Sequence, residues 1–328
     1  MGIIKLKLSM LGTLVLVIGL SSLVFSFILL SSGFSITILI VIVLLFNIIQ
    51  WLYAPKLINS IYKIKNAEKS EYPELHKIVE NLCNKMKIKK PNINIADMPF
   101  PNAFAYGSPM TGNSIAFTKK ILNDLENEEI EAVAGHELGH LKNKDVQLMT
   151  FVSVLPAIIS VIAYSFIFSG MFGGMMSGRR QNSGGMLAIG MMLMAFYWIL
   201  TLIILNFGRL REYYADQKSI QYVNDGSRKL SEALAKISHS SAKYKAQQFP
   251  KSKQRSRNSG FAFKTLFISD PETAIKDELE LEKTKLVMTD QQLVKDILKR
   301  KISMTDKMFE MFSTHPNIVK RLKALRSY

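Results

Sequence analysis

Gly135-His136-Glu137-Leu138-Gly139-His140-Leu141-Lys142-Asn143-Lys144-Asp145 is the stretch on which the reading of this chain turns. It contains the arrangement H-E-x-x-H. Upstream, Asn127 followed by Glu128 and Glu129 predicts the start of the helix that carries it, with acids in the first turn. A spacing of i, i+4 brings His136 and His140 to one helix face, where two imidazoles can share a zinc ion. Glu137 stands beside them, placed to take a proton from a water that the metal activates. The chain has only 5 histidines in 328 residues, so two that fall together by chance are the weaker explanation. A metzincin continuation is excluded, because Asn143 and Val146 stand where Gly and His would be required.

A catalytic zinc with two histidines takes a third protein ligand, and a His₂Glu set with an open water position is a known solution. Arg211-Glu212-Tyr213-Tyr214-Ala215-Asp216 is the natural source. Glu212 and Asp216 lie one helical turn apart on the same face, so one can bind metal while the other orients a ligand histidine. A solvated acidic pair is the plain alternative, since exposed acids are common.

Apolar runs flank both halves of this site. Residues 8–30, 33–54, 146–172 and 186–208 carry no charge, and each reaches the roughly 20 residues that a helix needs to cross a bilayer. They predict two helical hairpins, the first joined by Ser31 and Ser32, the second by the Gly- and Ser-rich loop 173–185. The first run is longer than the roughly 7–15 apolar residues of a signal peptide, and a second run follows at once, so it reads as an uncleaved anchor. Lys5, Lys7, Lys56, Lys63, Lys65 and Lys69 flank the first hairpin and place that side in the cytosol, against Arg179 and Arg180 in the second loop. His140 lies just before the third run and Glu212 just after the fourth. If those runs form a hairpin, both residues sit within about 6–9 Å of the same membrane face.

The composition fits this picture. The chain has 42 Lys+Arg against 26 Asp+Glu, a formal net charge of +16, and 48% hydrophobic residues. Disordered chains combine high charge with low hydrophobicity, so that class is excluded. Long apolar runs argue against a nucleic-acid binder. The single cysteine, Cys83, excludes an internal disulfide framework or a multi-cysteine metal knuckle. The apolar runs and the H-E-x-x-H helix together predict a mostly α fold class: four transmembrane helices in two hairpins plus a cytosolic zincin-like α+β metallopeptidase domain with a small sheet and edge strand. The corresponding segments are a hairpin at 1–54, the first half of the catalytic domain at 55–145, a hairpin at 146–208 and the second half at 209–328. Within the soluble parts, 70–87 reads as a helix with Pro73 in its first turn. Residues 92–96, 102–106 and 114–118 read as short strands. The acid-free basic stretch 243–257 reads as a solvated loop.

These residues resemble the M48 metallopeptidases, most closely the HtpX-like membrane proteases, over most of the chain. Residues 135–145 look like the family's metal helix, with Gly135 where Ala is more usual. Gly208-Arg209-Leu210-Arg211-Glu212-Tyr213-Tyr214-Ala215-Asp216 looks like its second motif, with Gly208 in place of Ser. The resemblance implies Glu212 as third zinc ligand and Asp216 as the partner of a ligand histidine. Asn102-Ala103-Phe104-Ala105 matches the family's edge strand beside the cleft, and Thr314-His315-Pro316 through Arg321 its C-terminal motif. An edge strand can take up an extended peptide and present its scissile bond to the metal. His315 and Arg321 could donate hydrogen bonds to a developing oxyanion, or form an ordinary helix start and solvated basic face. The resemblance further implies one zinc per chain, protein substrates that include membrane proteins, and a role in membrane-protein quality control at the cell membrane. The rival readings are a zinc-binding scaffold or transporter without hydrolysis, which would not need Glu137, and the family's prenylated-protein endopeptidases. The sequence leaves the oligomeric state open.

Overall fold

The computed structural model describes residues 36–177, 183–248 and 289–327. The first apolar run, the centre of the second hairpin loop with Arg179 and Arg180, and the part of the basic stretch beyond residue 248 lie outside the described residues.

Helix α1 (Ile36–Ile61) is apolar over most of its length and leaves Leu45, Ile49, Tyr53 and Leu57 exposed. Its last turns brace the sheet: the Tyr106 hydroxyl donates to Asn59 Oδ1 at 2.7 Å, and Ser108 Oγ donates to the Leu52 carbonyl at 3.1 Å. After the two-residue strand β1 (Lys65–Asn66) comes α2 (Pro73–Met86). Pro73 opens α2, where a missing N–H costs nothing, and Lys87 closes it in the left-handed conformation. Leu75, Val79, Leu82, Cys83 and Met86 are buried from α2, the i, i+3/i+4 stripe of an amphipathic helix.

Strands β2 (Asn92–Ala96), β3 (Ala103–Ser108) and β4 (Gly112–Thr118) complete a mixed sheet of order β1-β2-β4-β3. β3 and β4 form a hairpin closed at Gly112, whose φ of 73° suits a residue without Cβ. β4 pairs in parallel with β2, and β3 is the outer strand. Asn102 precedes β3 and is locked to Thr118, its N–H donating to Oγ1 and its carbonyl accepting from the Thr118 N–H, both at 2.9 Å.

Thr118 also caps α3 (Lys119–Asp124). Helix α4 (Asn127–Lys142) opens on a capping box between Glu126 and Glu129, so the acidic first turn read from sequence forms its N-terminus. Two long helices follow, α5 (Asp145–Ser177) and α6 (Ser183–Tyr222). They pack as a close antiparallel pair. A Cβ on Gly170 would lie 2.6 Å from the Leu187 nitrogen, and one on Gly190 would lie 2.6 Å from Ile167 Cγ1. Helices α7 (Gly226–Gln248), α8 (Asp290–Lys299), α9 (Met304–Met311) and α10 (Ile318–Arg326) complete the described chain.

The main core joins one face of the sheet to α2, α4, α7, α8 and α10, through residues such as Val79, Phe117, Val133, Leu138, Leu230, Leu234 and Leu322. Tyr62, Met98, Phe100, Phe104 and Tyr106 form a second cluster. The basic stretch does not begin as a loop. Residues 243–248 continue α7, because a run of Ala, Lys and Gln favours helix and the absence of acids does not break one.

Among the described residues, two helices are long and apolar enough to cross a membrane, over Ile40–Ile61 and Gly184–Tyr222. They correspond to the second and fourth apolar runs. The third run lies in α5, where the described residues include the apolar segment Pro156–Phe172. The coarse architecture is therefore a mostly helical chain with a small mixed sheet and two candidate spans.

Candidate metal centre

Helix α4 is pressed against the distal half of α6. Gly135 and Gly139 make the approach possible: a Cβ on Gly139 would lie 3.0 Å from Lys218 Cβ and 3.3 Å from Ala215 Cα. Ser219 Oγ donates to the Ala132 carbonyl at 2.7 Å across the same seam. This small-residue contact sets the distance between the H-E-x-x-H face and Glu212. His136, Glu137, His140, Glu212 and Asp216 are all buried.

His136 Nε2 lies 3.6 Å from Glu212 Oε2, and His140 Nε2 lies 3.4 Å from Glu212 Oε1. Ligand atoms on a tetrahedral zinc with arms of about 2.0–2.1 Å stand about 3.3 Å apart, so this spacing fits the ion. All three donor atoms fall within 4.8 Å of one another. The two imidazole rings stand at 87° with their centroids 4.8 Å apart.

Each histidine is held from behind. His136 Nδ1 lies 2.9 Å from Asp216 Oδ1, and His140 Nδ1 donates to Asp145 Oδ2 at 2.7 Å. A carboxylate only accepts, so a proton on Nδ1 leaves Nε2 with the lone pair a metal needs. Each carboxylate meets an arginine in turn. Arg321 donates to Asp216 through Nε at 2.7 Å and Nη2 at 2.6 Å, while Arg211 Nε stands 3.3 Å from Asp145 Oδ2.

Burial acts against protonation of both histidines. In His136 the Arg321 charge also opposes it, yet Asp216 and Glu212 outweigh both and raise its pKa. In His140, Asp145 and Glu212 overcome burial and push the value up to about 9. Burial raises the Glu137 carboxyl above its ordinary range, partly offset by the two histidines and by the Ala105 N–H that it accepts. A carboxylate with a raised pKa is better matched to accept a proton at neutral pH.

The remaining expected residues converge here too. His315 Nδ1 lies 2.9 Å from Glu212 Oε2, and Arg321 Nη1 lies 3.3 Å from the same oxygen. Arg321 is buried, which removes the solvated basic face as its setting. Arg209 clamps the segment before His315, donating to the carbonyls of Glu310 at 2.6 Å and Ser313 at 2.9 Å. Ala103, Phe104 and Ala105 lie in the outer strand β3, with Asn102 immediately before it. Asp145, Arg211 and Arg209 were not singled out by sequence reasoning. The only signal was the position of Asp145 at the end of the motif stretch, five residues after His140.

The sequence model of peptidase family M48 matches residues 69–328. The chain belongs to peptidase family M48. Among the most similar M48 relatives are "Protease HtpX homolog 2" of Saccharolobus solfataricus, 39% identical over 77% of this chain and 78% of that protein. "Protease HtpX homolog" of Picrophilus torridus is 36% identical over 90% and 87%. The crystal structure of S. mikatae Ste24p superposes with a TM-score of 0.56 at 18% identity, covering 95% of this chain and 64% of that one, and so shares its fold. This M48 chain is a metalloprotease, and its His136–His140–Glu212 set can hold the one zinc ion on which the family depends.

Proposed function

We propose that this protein is a membrane-anchored zinc endopeptidase that cleaves misfolded or membrane-associated proteins on the cytosolic side of the cell membrane. The observation that carries this reading is the convergence of His136 Nε2 and His140 Nε2 on Glu212, with the buried Glu137 carboxylate beside them. His136, His140 and Glu212 hold the metal. Zinc bound there supplies a Lewis acid that polarises water and the scissile carbonyl.

Glu137 accepts the proton of the attacking water and passes it to the leaving amine. Its hydrogen bond from the Ala105 N–H fixes this base against the strand that takes up substrate. Asn102 and Thr118 bond to each other across β3 and β4, so alternation turns the backbone groups of Ala103, Ala105 and Gly107 away from β4, with the Ala105 N–H taken up by Glu137. An extended peptide added along Asn102–Ala105 runs past Glu137 and presents one bond to the site. His315 donates to the carbonyl oxygen as it gains charge. Arg321 commits two donors to Asp216, so it acts chiefly by positioning and contributes to the oxyanion only through Nη1. Four spans in two hairpins would put both halves of the site at one membrane face, within reach of membrane-protein loops.

The test is cleavage of an unfolded protein by detergent-solubilised enzyme, stripped of metal and resupplied with zinc, beside Glu137→Ala. Zinc-restored cleavage that the variant lacks while retaining stoichiometric zinc is the expected result. Full zinc loading without cleavage of any substrate would point instead to a scaffold, and absence of bound zinc would overturn the reading.

A further inference from the structure

Helix α9 has no buried residue. Met304, Met308, Met311 and Phe312 recur at i, i+4, i+7 and i+8 and so share one face, with Phe309 beside them. These five side chains are 48% to 76% exposed. Lys301 and Lys307 are exposed at the flanks, whereas the acids of α9 are engaged locally: Asp306 caps Ser303 and Glu310 pairs with Lys320. An apolar stripe with free lysines at its borders is the pattern of a helix that lies in the plane of a membrane surface.

The position of α9 names the occupant of that face. Its C-terminal turn is fastened by Arg209 to α6, one residue past the apolar run 186–208. On α6, exposed Met192, Phe196, Ile199 and Ile203 form a stripe that Leu210 and Tyr214 continue beyond Arg209. The exposed face of α9 is therefore tied to the point where the lipid-facing stripe of α6 leaves the apolar core.

We propose that α9 is an interfacial helix whose Met304, Met308, Phe309, Met311 and Phe312 lie in the headgroup–acyl boundary of the leaflet that α6 leaves at Arg209. This rests on the membrane placement of α6. Lys301 and Lys307 face the anionic headgroups. The segment that follows α9 carries His315, so lipid contact fixes the height of one wall of the metal site above the membrane.

The experiment uses the full chain in phosphatidylcholine vesicles that contain phosphatidylglycerol. Cys83 is buried, so an introduced cysteine takes an environment-sensitive nitrobenzoxadiazole label selectively. Met308→Cys is compared with Ile203→Cys on the lipid-facing stripe and with Lys77→Cys on the solvated surface of α2. The label at 308 is expected to lose emission to lipids brominated near the headgroup and to resist aqueous iodide. The label at 203 should answer to lipids brominated deep in the chain, and the label at 77 to iodide alone. Quenching at 203 together with iodide quenching at 308 would overturn the proposal and leave the membrane reading intact. Protection of 308 from both quenchers would mean that protein covers the face, from residues 249–288 or a second copy, and would overturn it as well. Failure of lipid quenching at 203 would remove both readings. The triple variant Met308→Ser, Phe309→Ser, Phe312→Ser should retain zinc and cleave a soluble peptide, while losing cleavage of a vesicle-embedded substrate. Equal loss on both substrates would count against lipid contact as its role.

Discussion

The two histidines of the metal centre are held by the same device in two different settings. His136 leans on Asp216, which Arg321 grips with two donors from the C-terminal helix α10. His140 leans on Asp145 at the first turn of α5, which meets Arg211 through a single nitrogen at 3.3 Å. The Arg321 side chain is 1% exposed and that of Arg211 is 18% exposed. Both carboxylates are buried, but water reaches the Arg211 guanidinium and not that of Arg321, so equal chemistry should carry unequal energy. The His136 arm also ties the C-terminus into the site, whereas the His140 arm ties in the base of the α5–α6 hairpin.

Removing the grip of the buried arm should have the largest effect. Arg321→Ala leaves the buried Asp216 with His136 Nδ1 in place of its cationic partner, and removing one member of a buried ion pair commonly costs about 3–5 kcal/mol. A large fall in Tm of the zinc-free protein in detergent is expected, with Arg321→Lys recovering only part because an ammonium lacks the fork. A Tm shift no larger than that of a surface variant would break the asymmetry between the arms.

The carboxylates come next. Asp216→Asn and Asp145→Asn should each weaken zinc by about 10–100-fold, as loss of such partners typically does, with Asp216 toward the upper end. Competition against a chromophoric chelator measures both. A larger loss from Asp145→Asn would reverse the ranking.

Proton release on metal binding sharpens the contrast further. In the metal-free protein the His140 pKa is pushed up to about 9, so below that pH a proton must leave before the imidazole can bind metal. Zinc affinity should therefore rise with pH by up to about tenfold per unit for each displaced proton, and flatten above the His140 value. Calorimetry in buffers of different ionisation enthalpy counts those protons. Asp145→Asn removes what holds the His140 proton, so its pH slope should be shallower than that of the parent. The smallest effect belongs to Arg211→Ala, within about 1 kcal/mol of the parent in stability because its pair is partly solvated.

Much of this site is legible in local spacing. A helix presents i and i+4 on one face whatever surrounds it, so His136 and His140 had to be neighbours, as did Glu212 and Asp216. Asn127 with the first-turn acids Glu128 and Glu129, Pro73 at a first turn, and three short runs bounded by Pro and Gly mark elements that the structure contains. Where the sequence erred, at 243–248, the composition suits helix as well as solvent, and α7 runs on to Gln248. The fate of Arg321 could not be read locally, because a basic residue on a short helix looks solvated until the neighbouring elements are known.

By itself the sequence determined a metal-binding helix, a second acidic motif, the edge-strand and His-Pro segments, and the presence of long apolar helices. The metal-binding helix, the acidic motif and the apolar helices follow from periodicity or from residue chemistry over a few turns, whereas the edge-strand and His-Pro segments follow from the family resemblance. Only the tertiary structure decided that β4 inserts between β2 and β3, that Gly135 and Gly139 bring α4 onto α6, and which acid backs which histidine. Those outcomes depend on the angle and distance between elements up to 185 residues apart, as for Arg321 and His136, which no local rule contains. Close packing then converts that geometry into chemistry, since a shift of one helix diameter would turn the same side chains into solvated surface.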